Sequence, residues 1–197
     1  MSSIKPLDVF IVNIPNKIKG TYKMSNGFEI YVDTRFNEFE HRVNEGTVVA
    51  TPIKYDTGVE EGDVLYFHHH VVINDGQPMT GEKDTYVVRY DDKNTVNSQV
   101  IGYKHKGEVR GLSGWSLLEP VEPDSVTSDQ VLTVDLQEKV YLRGTVAFPF
   151  VGMKELGLKV GDVVGFPPNR DYAVKIDGET YFRVRSEDLL YKLKDEA

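Results

Sequence analysis

Short apolar runs alternate with polar turn residues along the whole chain. In the first half, five such runs are rich in Val, Ile, Tyr and Phe and are bounded by Gly, Asp, Asn or Pro; they cover residues 9–14, 47–51, 64–67, 86–90 and 100–103. Runs of this length and composition are typical of β-strands. No segment combines a helical period with capping residues, and MKELGL at 153–158 is at most one turn. The pattern therefore predicts an all-β fold.

One stretch of the pattern occurs twice. EEGDVLYF, which contains Gly62, returns ninety-nine positions later as KVGDVVGF, which contains Gly161. Gly46 lies sixteen residues before the first of these glycines, and Gly144 lies seventeen residues before the second. Downstream, DTYVVRY in the first half corresponds to ETYFRVR in the second. Several features in the same order indicate two copies of one unit.

The repeat predicts two domains, residues 5–111 and 112–197, with an insertion in the first near 76–98. The glycines of KGEVRGLSG supply the turn chemistry of a boundary. Short strands at regular spacing favour a small closed or nearly closed barrel, which leaves few open sheet edges. In each G-D-V stretch we expect Gly to adopt positive φ, and the chain then to enter a central strand whose Val and Phe point inward.

Composition restricts the class of protein. The chain has 197 residues, no cysteine, a net charge of −8, and 40% hydrophobic residues, which is a globular composition. No long apolar run and no cleavage signal is present, so we expect a soluble, unexported, cytoplasmic protein without a membrane partner. The acidic balance argues against nucleic acid. The basic residues Lys104, His105, Lys106 and Arg110 are interpreted as a solvated loop.

Candidate chemistry is sparse. His68 and His70 could share a metal ion only with a third ligand, which the sequence does not identify, so a solvated strand end is the preferred interpretation. The carboxylates of DTGVEEGD are interpreted as a solvated turn, and GLSGW lacks the last glycine of a nucleophile elbow. No dinucleotide-binding G-x-G-x-x-G is present. The sequence thus predicts no enzyme, no metal site and no cofactor.

Two sets of motifs resemble those of a known family. GTVVATP, VEEGDVLYF, TYVVRYDD and SQVIGY in the first half, and RGTVAFP, LKVGDVVGF and IDGETYFRVRSEDLLYKL in the second, look like the GroES-like co-chaperonins, the chaperonin-10 family. The resemblance covers the chain twice and is stronger in the second half. It implies two tandem GroES-like small β-barrels. Plastid co-chaperonins contain tandem copies and bacteriophages encode divergent relatives; without an Arg- and Ser-rich leader, a bacterial or phage setting is expected.

The resemblance also implies a function. Members of the family form a homo-oligomeric ring that caps the cavity of a chaperonin-60, a GroEL-like partner, without chemistry of their own. A mobile loop between the first and second strands presents a short apolar tripeptide to the chaperonin. The residues that correspond to that tripeptide here are Phe28, Ile30, Tyr31 and Val32 in the first unit, and Val131 and Leu132 in the second.

Both segments depart from the family pattern. Glu29 interrupts the apolar run of the first, and EIYVDTRF alternates well enough to be an ordinary strand. The second lacks paired glycines and has Gln130 at the first apolar position. An alternative function therefore stays open: a structural or adaptor protein, such as a virion assembly component, that keeps the double barrel without docking to a chaperonin.

Overall fold

The computed structural model describes residues 4–16, 21–23, 28–31, 43–72, 77–79, 81–93, 97–112, 114–121 and 142–193. In these residues the secondary structure is β-strand with two short 3-10 turns, His69–Val72 and Ser186–Asp188. The first nine strands are β1 Val9–Asn13, β2 Thr21–Lys23, β3 Glu29–Tyr31, β4 Glu45–Ala50, β5 Val64–Phe67, β6 Gln77–Pro78, β7 Thr85–Arg89, β8 Val100–His105 and β9 Glu108–Gly111. The others are β10 Trp115–Pro120, β11 Arg143–Val146, β12 Val163–Gly165, β13 Tyr172–Ile176, β14 Glu179–Arg185 and β15 Tyr191–Lys192. The all-β prediction is confirmed.

The chain divides into two compact units, Met1–Ser113 and Gly114–Ala197. The sequence repeat predicted a boundary between residues 111 and 112, two residues before the observed one. The main sheet of the first unit has the order β6-β7-β1-β4-β5-β8-β9, and that of the second has the order β13-β14-β10-β11-β12-β15. Apart from β9, the two orders are the same. The sequence repeat is therefore also a repeat of strand order.

Two features of the first unit have no counterpart in the described residues of the second. One is β9, which forms a hairpin with β8 and occupies a sheet position that has no counterpart beside β15 in the described part of the second unit. The other is the separate two-stranded sheet formed by β2 and β3. The segment expected to be an insertion also contains β6, which pairs with β7 as β13 pairs with β14. Two strands of the expected insertion, β6 and β7, are therefore shared by both units.

The barrel closure expected from the sequence is not seen in the described strand pairing. Both main sheets are antiparallel and open: no recorded pairing joins β6 to β9, or β13 to β15. What is established is two tandem antiparallel β units.

Each unit has a hydrophobic core of its own. That of the second unit consists of seven buried side chains: Leu118, Val146, Phe150, Val164, Phe166, Phe182 and Val184. The core of the first unit is larger and includes Phe10, Leu65 and Phe67, each with 0% of its surface exposed. Along β14, Phe182 and Val184 alternate with polar residues, as expected for a strand with one face on the core.

The repeated Gly-Asp turn has the same geometry in both units. Gly62 and Gly161 both have φ of +92°, in the region that favours glycine, which confirms the predicted positive φ. The N–H of Gly62 donates to the Val48 carbonyl at 2.9 Å, and that of Gly161 to the Val146 carbonyl at 2.8 Å. These bonds join the turn to β4 and to β11, so the repeated motif fixes the entry into β5 and β12.

The aspartate of this turn is buried, contrary to the expectation of a solvated acidic turn. Oδ2 of Asp63 accepts a hydrogen bond from the Glu60 N–H at 2.8 Å, and Oδ2 of Asp162 accepts one from the Lys159 N–H at 2.9 Å. Nδ1 of His105 also lies 2.9 Å from Oδ1 of Asp63. The interpretation of the basic residues as a solvated loop is therefore wrong for three of the four: Lys104 and His105 lie in β8, Arg110 lies in β9, and Lys106 alone is in the turn between them. Because β8 pairs with β5, it carries His105 to the Gly-Asp turn.

Candidate docking site

A hairpin lies in the connection between β1 and β4. Its strands β2 and β3 pair in antiparallel register, with Thr21 opposite Tyr31 and Tyr22 opposite Ile30. In the described part of the chain, neither strand pairs with the seven-stranded sheet. β1 and β4 themselves are neighbours in that sheet. The hairpin is thus an excursion between two adjacent strands.

Two aromatic side chains of this hairpin are exposed. Phe28, just before β3, is 71% exposed, and Tyr31, the last residue of β3, is 82% exposed. No other large hydrophobic residue in the described ranges is as exposed as either of them. A buried aromatic side chain is among the most favourable contacts that a protein can make with a partner. The hairpin therefore presents the type of surface that a docking segment needs.

The other residues predicted to dock are placed only in part. Ile30 is the middle residue of β3, and its backbone is opposite Tyr22. Val32 lies outside the described residues, as do Val131 and Leu132 of the second unit. Ile30 and Tyr31 thus lie in β3 and Phe28 directly precedes it, and the docking role of both segments stays a prediction.

The strand that pairs with β3 escaped the sequence analysis. β2 has three residues, TYK, which is too short to stand out as an apolar run. A signal was present in the sequence: the five residues between TYK and EIY include Asn26-Gly27, and a connection of three to five residues that contains Gly favours a hairpin between two β-prone segments. With that dipeptide taken into account, the alternation of EIYVDTRF indicates a hairpin strand rather than a strand of the main sheet.

The histidine run follows β5. His68 precedes the 3-10 turn His69–Val72, and its ring stacks on that of His70 with centroids 4.5 Å apart. The backbone N–H of His70 is 3.2 Å from Nδ1 of His68, so this ring nitrogen accepts a hydrogen bond. Within the described ranges, no group of three or more His, Cys, Asp and Glu side chains is placed to hold a metal ion. The two rings stack, and no third ligand joins them there.

Comparison with known proteins adds no relative. No protein-family model matches the chain, and no curated protein matches it. As to membranes, none of the helical segments in the described ranges is long and apolar enough to span one.

Proposed function

We propose that this protein is a co-chaperonin, which caps the folding chamber of a chaperonin-60 and assists ATP-dependent folding without chemistry of its own. The observation that carries the proposal is the hairpin with exposed Phe28 and Tyr31. It lies between two neighbouring strands of the sheet, β1 and β4, where the chaperonin-10 family has its docking loop. The repeated Gly-Asp turn and the common strand order of the two units support it further.

We expect each hairpin to bind the chaperonin weakly, and stable capping to require several hairpins. Full burial of one large apolar side chain contributes about 1.5–3 kcal/mol, and part of this is offset by the loss of conformational freedom on docking. Two aromatic anchors in one subunit therefore bind weakly. A homo-oligomeric ring that presents the same hairpin several times converts weak contacts into stable capping.

The proposal places the protein in the cytoplasm of a bacterium, or of a bacterium infected by a phage that encodes it. In this proposal the second unit also has a docking segment, which contains Val131 and Leu132. It requires neither a cofactor nor a metal ion from this chain, because the ATPase belongs to the chaperonin.

The test is binding of the purified protein to a bacterial chaperonin-60 with and without ATP. The variants are Phe28→Ser, Tyr31→Ser and Leu132→Ser. Ile53→Ser is the matched control, because Ile53 is also an exposed apolar residue, with 64% of its surface accessible, and lies outside the hairpin. We expect ATP-dependent binding by the wild type, weakened roughly tenfold by Phe28→Ser or Tyr31→Ser and unchanged by Ile53→Ser.

Each result has a definite meaning. If Leu132→Ser weakens chaperonin binding, the second unit also contacts the chaperonin. Binding that no variant weakens refutes docking through these segments. Absence of ATP-dependent binding, from a protein that is folded and has a defined oligomeric state, refutes the co-chaperonin function and favours the adaptor or assembly role.

A further inference from the structure

Two arginine and two aromatic side chains share one face of three neighbouring strands in the second unit, together with the fully buried Leu117. β14 lies between β13 and β10, with Tyr172 opposite Arg183 and Trp115 opposite Arg185. Directly opposite residues of an antiparallel pair project from the same face of the sheet. The other face of β14 carries core residues, among them Phe182. We call the group of Trp115, Tyr172, Arg183 and Arg185 the arginine slot.

Arg183 lies between the two aromatic rings of the slot. The central carbon of its guanidinium is 4.6 Å from the centroid of the Trp115 ring and 4.5 Å from that of the Tyr172 ring. Because Trp115 and Tyr172 come from the strands on either side of β14, the rings flank the guanidinium. Stacking of this kind occupies the two flat faces of a guanidinium. Its N–H groups lie in the plane of the guanidinium, so they can still donate hydrogen bonds to an acceptor.

No anionic partner for Arg183 is present in the described part of the chain. The residue is only 7% exposed, and none of its recorded contacts is with a carboxylate. Burial lowers the pKa of Arg183 to about 10; Tyr172 acts against this shift, and the nearby charge of Arg185 adds to it. A buried cation without a paired anion is rare, because desolvation of a charge is costly unless it is paired.

A second donor in the slot also lacks an acceptor. Nε1 of Trp115 is buried, and no hydrogen-bond partner for it is present among the described residues. The guanidinium of Arg185 lies 5.1 Å from the same ring, and its side chain is 22% exposed. The Arg185 guanidinium is 3.3 Å from the carboxylate of Glu187, a side chain that is 71% exposed. The slot thus combines two cations with an unsatisfied N–H donor.

We propose that the arginine slot binds a carboxylate of a peptide or protein partner, held in plane by Arg183. A carboxylate has two oxygens in one plane, which match two parallel N–H groups of a guanidinium, and the flanking rings restrict a ligand to that plane. The site is distinct from the docking hairpin and does not depend on the co-chaperonin function. The slot binds a charged group, whereas the hairpin presents an apolar surface.

Tryptophan fluorescence gives a direct readout, because Trp115 is the only tryptophan of the chain. The full-length protein is titrated at constant ionic strength with two carboxylates. N-acetylglycine represents a C-terminal carboxylate, and N-acetylglutamic acid α-amide represents an acidic side chain. N-acetylglycinamide is the uncharged control. Inorganic phosphate is the control for an anion that is tetrahedral rather than planar. We expect a saturable change in fluorescence with at least one carboxylate and none with N-acetylglycinamide. The carboxylate that binds more strongly shows whether the natural ligand is a C-terminal carboxylate or an acidic side chain.

Variants connect the response to the slot. Arg183→Lys retains the charge but loses the paired donors, so we expect binding at least roughly tenfold weaker. Arg110→Lys is the matched control, because Arg110 lies in the first unit, 55% exposed and paired with Glu108, and should leave binding unchanged. Should Arg183→Lys fail to fold, Tyr172→Leu removes one wall of the slot and should weaken binding several-fold.

The proposal is overturned by any of three results. One is a wild-type response that is absent for both carboxylates, or that is no stronger for either of them than for N-acetylglycinamide. The second is a response to phosphate alone. The third is a carboxylate response of undiminished affinity in folded Arg183→Lys or, where that variant does not fold, in Tyr172→Leu.

Discussion

Nζ of Lys192 lies 2.8 Å from Oδ2 of Asp162, a carboxylate whose side chain is only 1% exposed. The same oxygen accepts a hydrogen bond from the backbone N–H of Lys159 at 2.9 Å. Burial alone would raise the pKa of the Asp162 carboxyl, but the hydrogen bonds from Lys192 and Lys159 hold it below its ordinary value. The ion pair joins β15, the last strand of the second unit, to the turn before β12.

Removal of this ion pair should destabilise the second unit. Lys192→Met leaves the buried Asp162 carboxylate without its cation, which costs about 1–3 kcal/mol. The measurement is urea unfolding followed by the fluorescence of Trp115, which lies in the second unit. Lys154→Met is the control, because Lys154 is an exposed turn residue, and it should change the free energy of unfolding by no more than about 0.5 kcal/mol. Equal effects of the two variants would contradict this role of Lys192.

The same pair predicts a pH dependence. Because folding lowers the pKa of Asp162 from 3.8, its contribution to stability is fully present above that value and is lost as the pH falls through the lowered pKa. The free energy of unfolding of Asp162→Asn should therefore lie below that of the wild type by a constant amount between about pH 7 and pH 5, and the difference should narrow below about pH 4. A difference that stays constant throughout the acid range would show that the carboxylate charge contributes nothing.

Local patterns explain what the sequence predicted. The Gly-Asp turn depends on a glycine at positive φ and on an aspartate that accepts a backbone N–H three residues earlier, so the motif carries its own geometry. The same holds for the longer strands, whose runs of Val, Ile, Tyr and Phe are visible in one short window. These features are the ones that recur in both units.

Contacts between distant segments explain what the sequence did not predict. Asp63 and His105 are 42 residues apart and meet only because β5 pairs with β8. The arginine slot depends on the registers of β13, β14 and β10, since a shift of one residue would turn Arg183 to the other face. The residues predicted to dock were chosen through family resemblance, and the separation of β2 and β3 from the main sheet followed only from strand pairing.

Two ladder glycines should respond differently to alanine. In β8, a Cβ on Gly102 would lie 2.5 Å from the backbone oxygen of Arg110 in β9, which cannot move without breaking the hairpin. In β12, a Cβ on Gly165 would meet the ring of Tyr191, a side chain that is 46% exposed and can turn away. We expect Gly102→Ala to cost about 1–3 kcal/mol and Gly165→Ala about 0.5 kcal/mol.

Urea unfolding followed by far-UV circular dichroism measures both variants in the same way. Gly62→Ala is a useful third variant, because a Cβ at Gly62 has no neighbour within 4 Å and only the φ of +92° opposes it. Its cost of roughly 1–2 kcal/mol represents backbone strain without a clash. A Gly165→Ala variant as unstable as Gly102→Ala would show that Tyr191 is held rigidly over β12.

The last prediction separates docking from folding. Tyr31 is 82% exposed, so Tyr31→Ser should change the free energy of unfolding of the first unit by no more than about 0.5 kcal/mol. Phe10 in β1 is fully buried, and Phe10→Ala should cost about 3–5 kcal/mol. Urea unfolding followed by circular dichroism compares them. If Tyr31→Ser is as destabilising as Phe10→Ala, then Tyr31 stabilises the fold, and a loss of chaperonin binding in that variant would reflect unfolding rather than a lost contact.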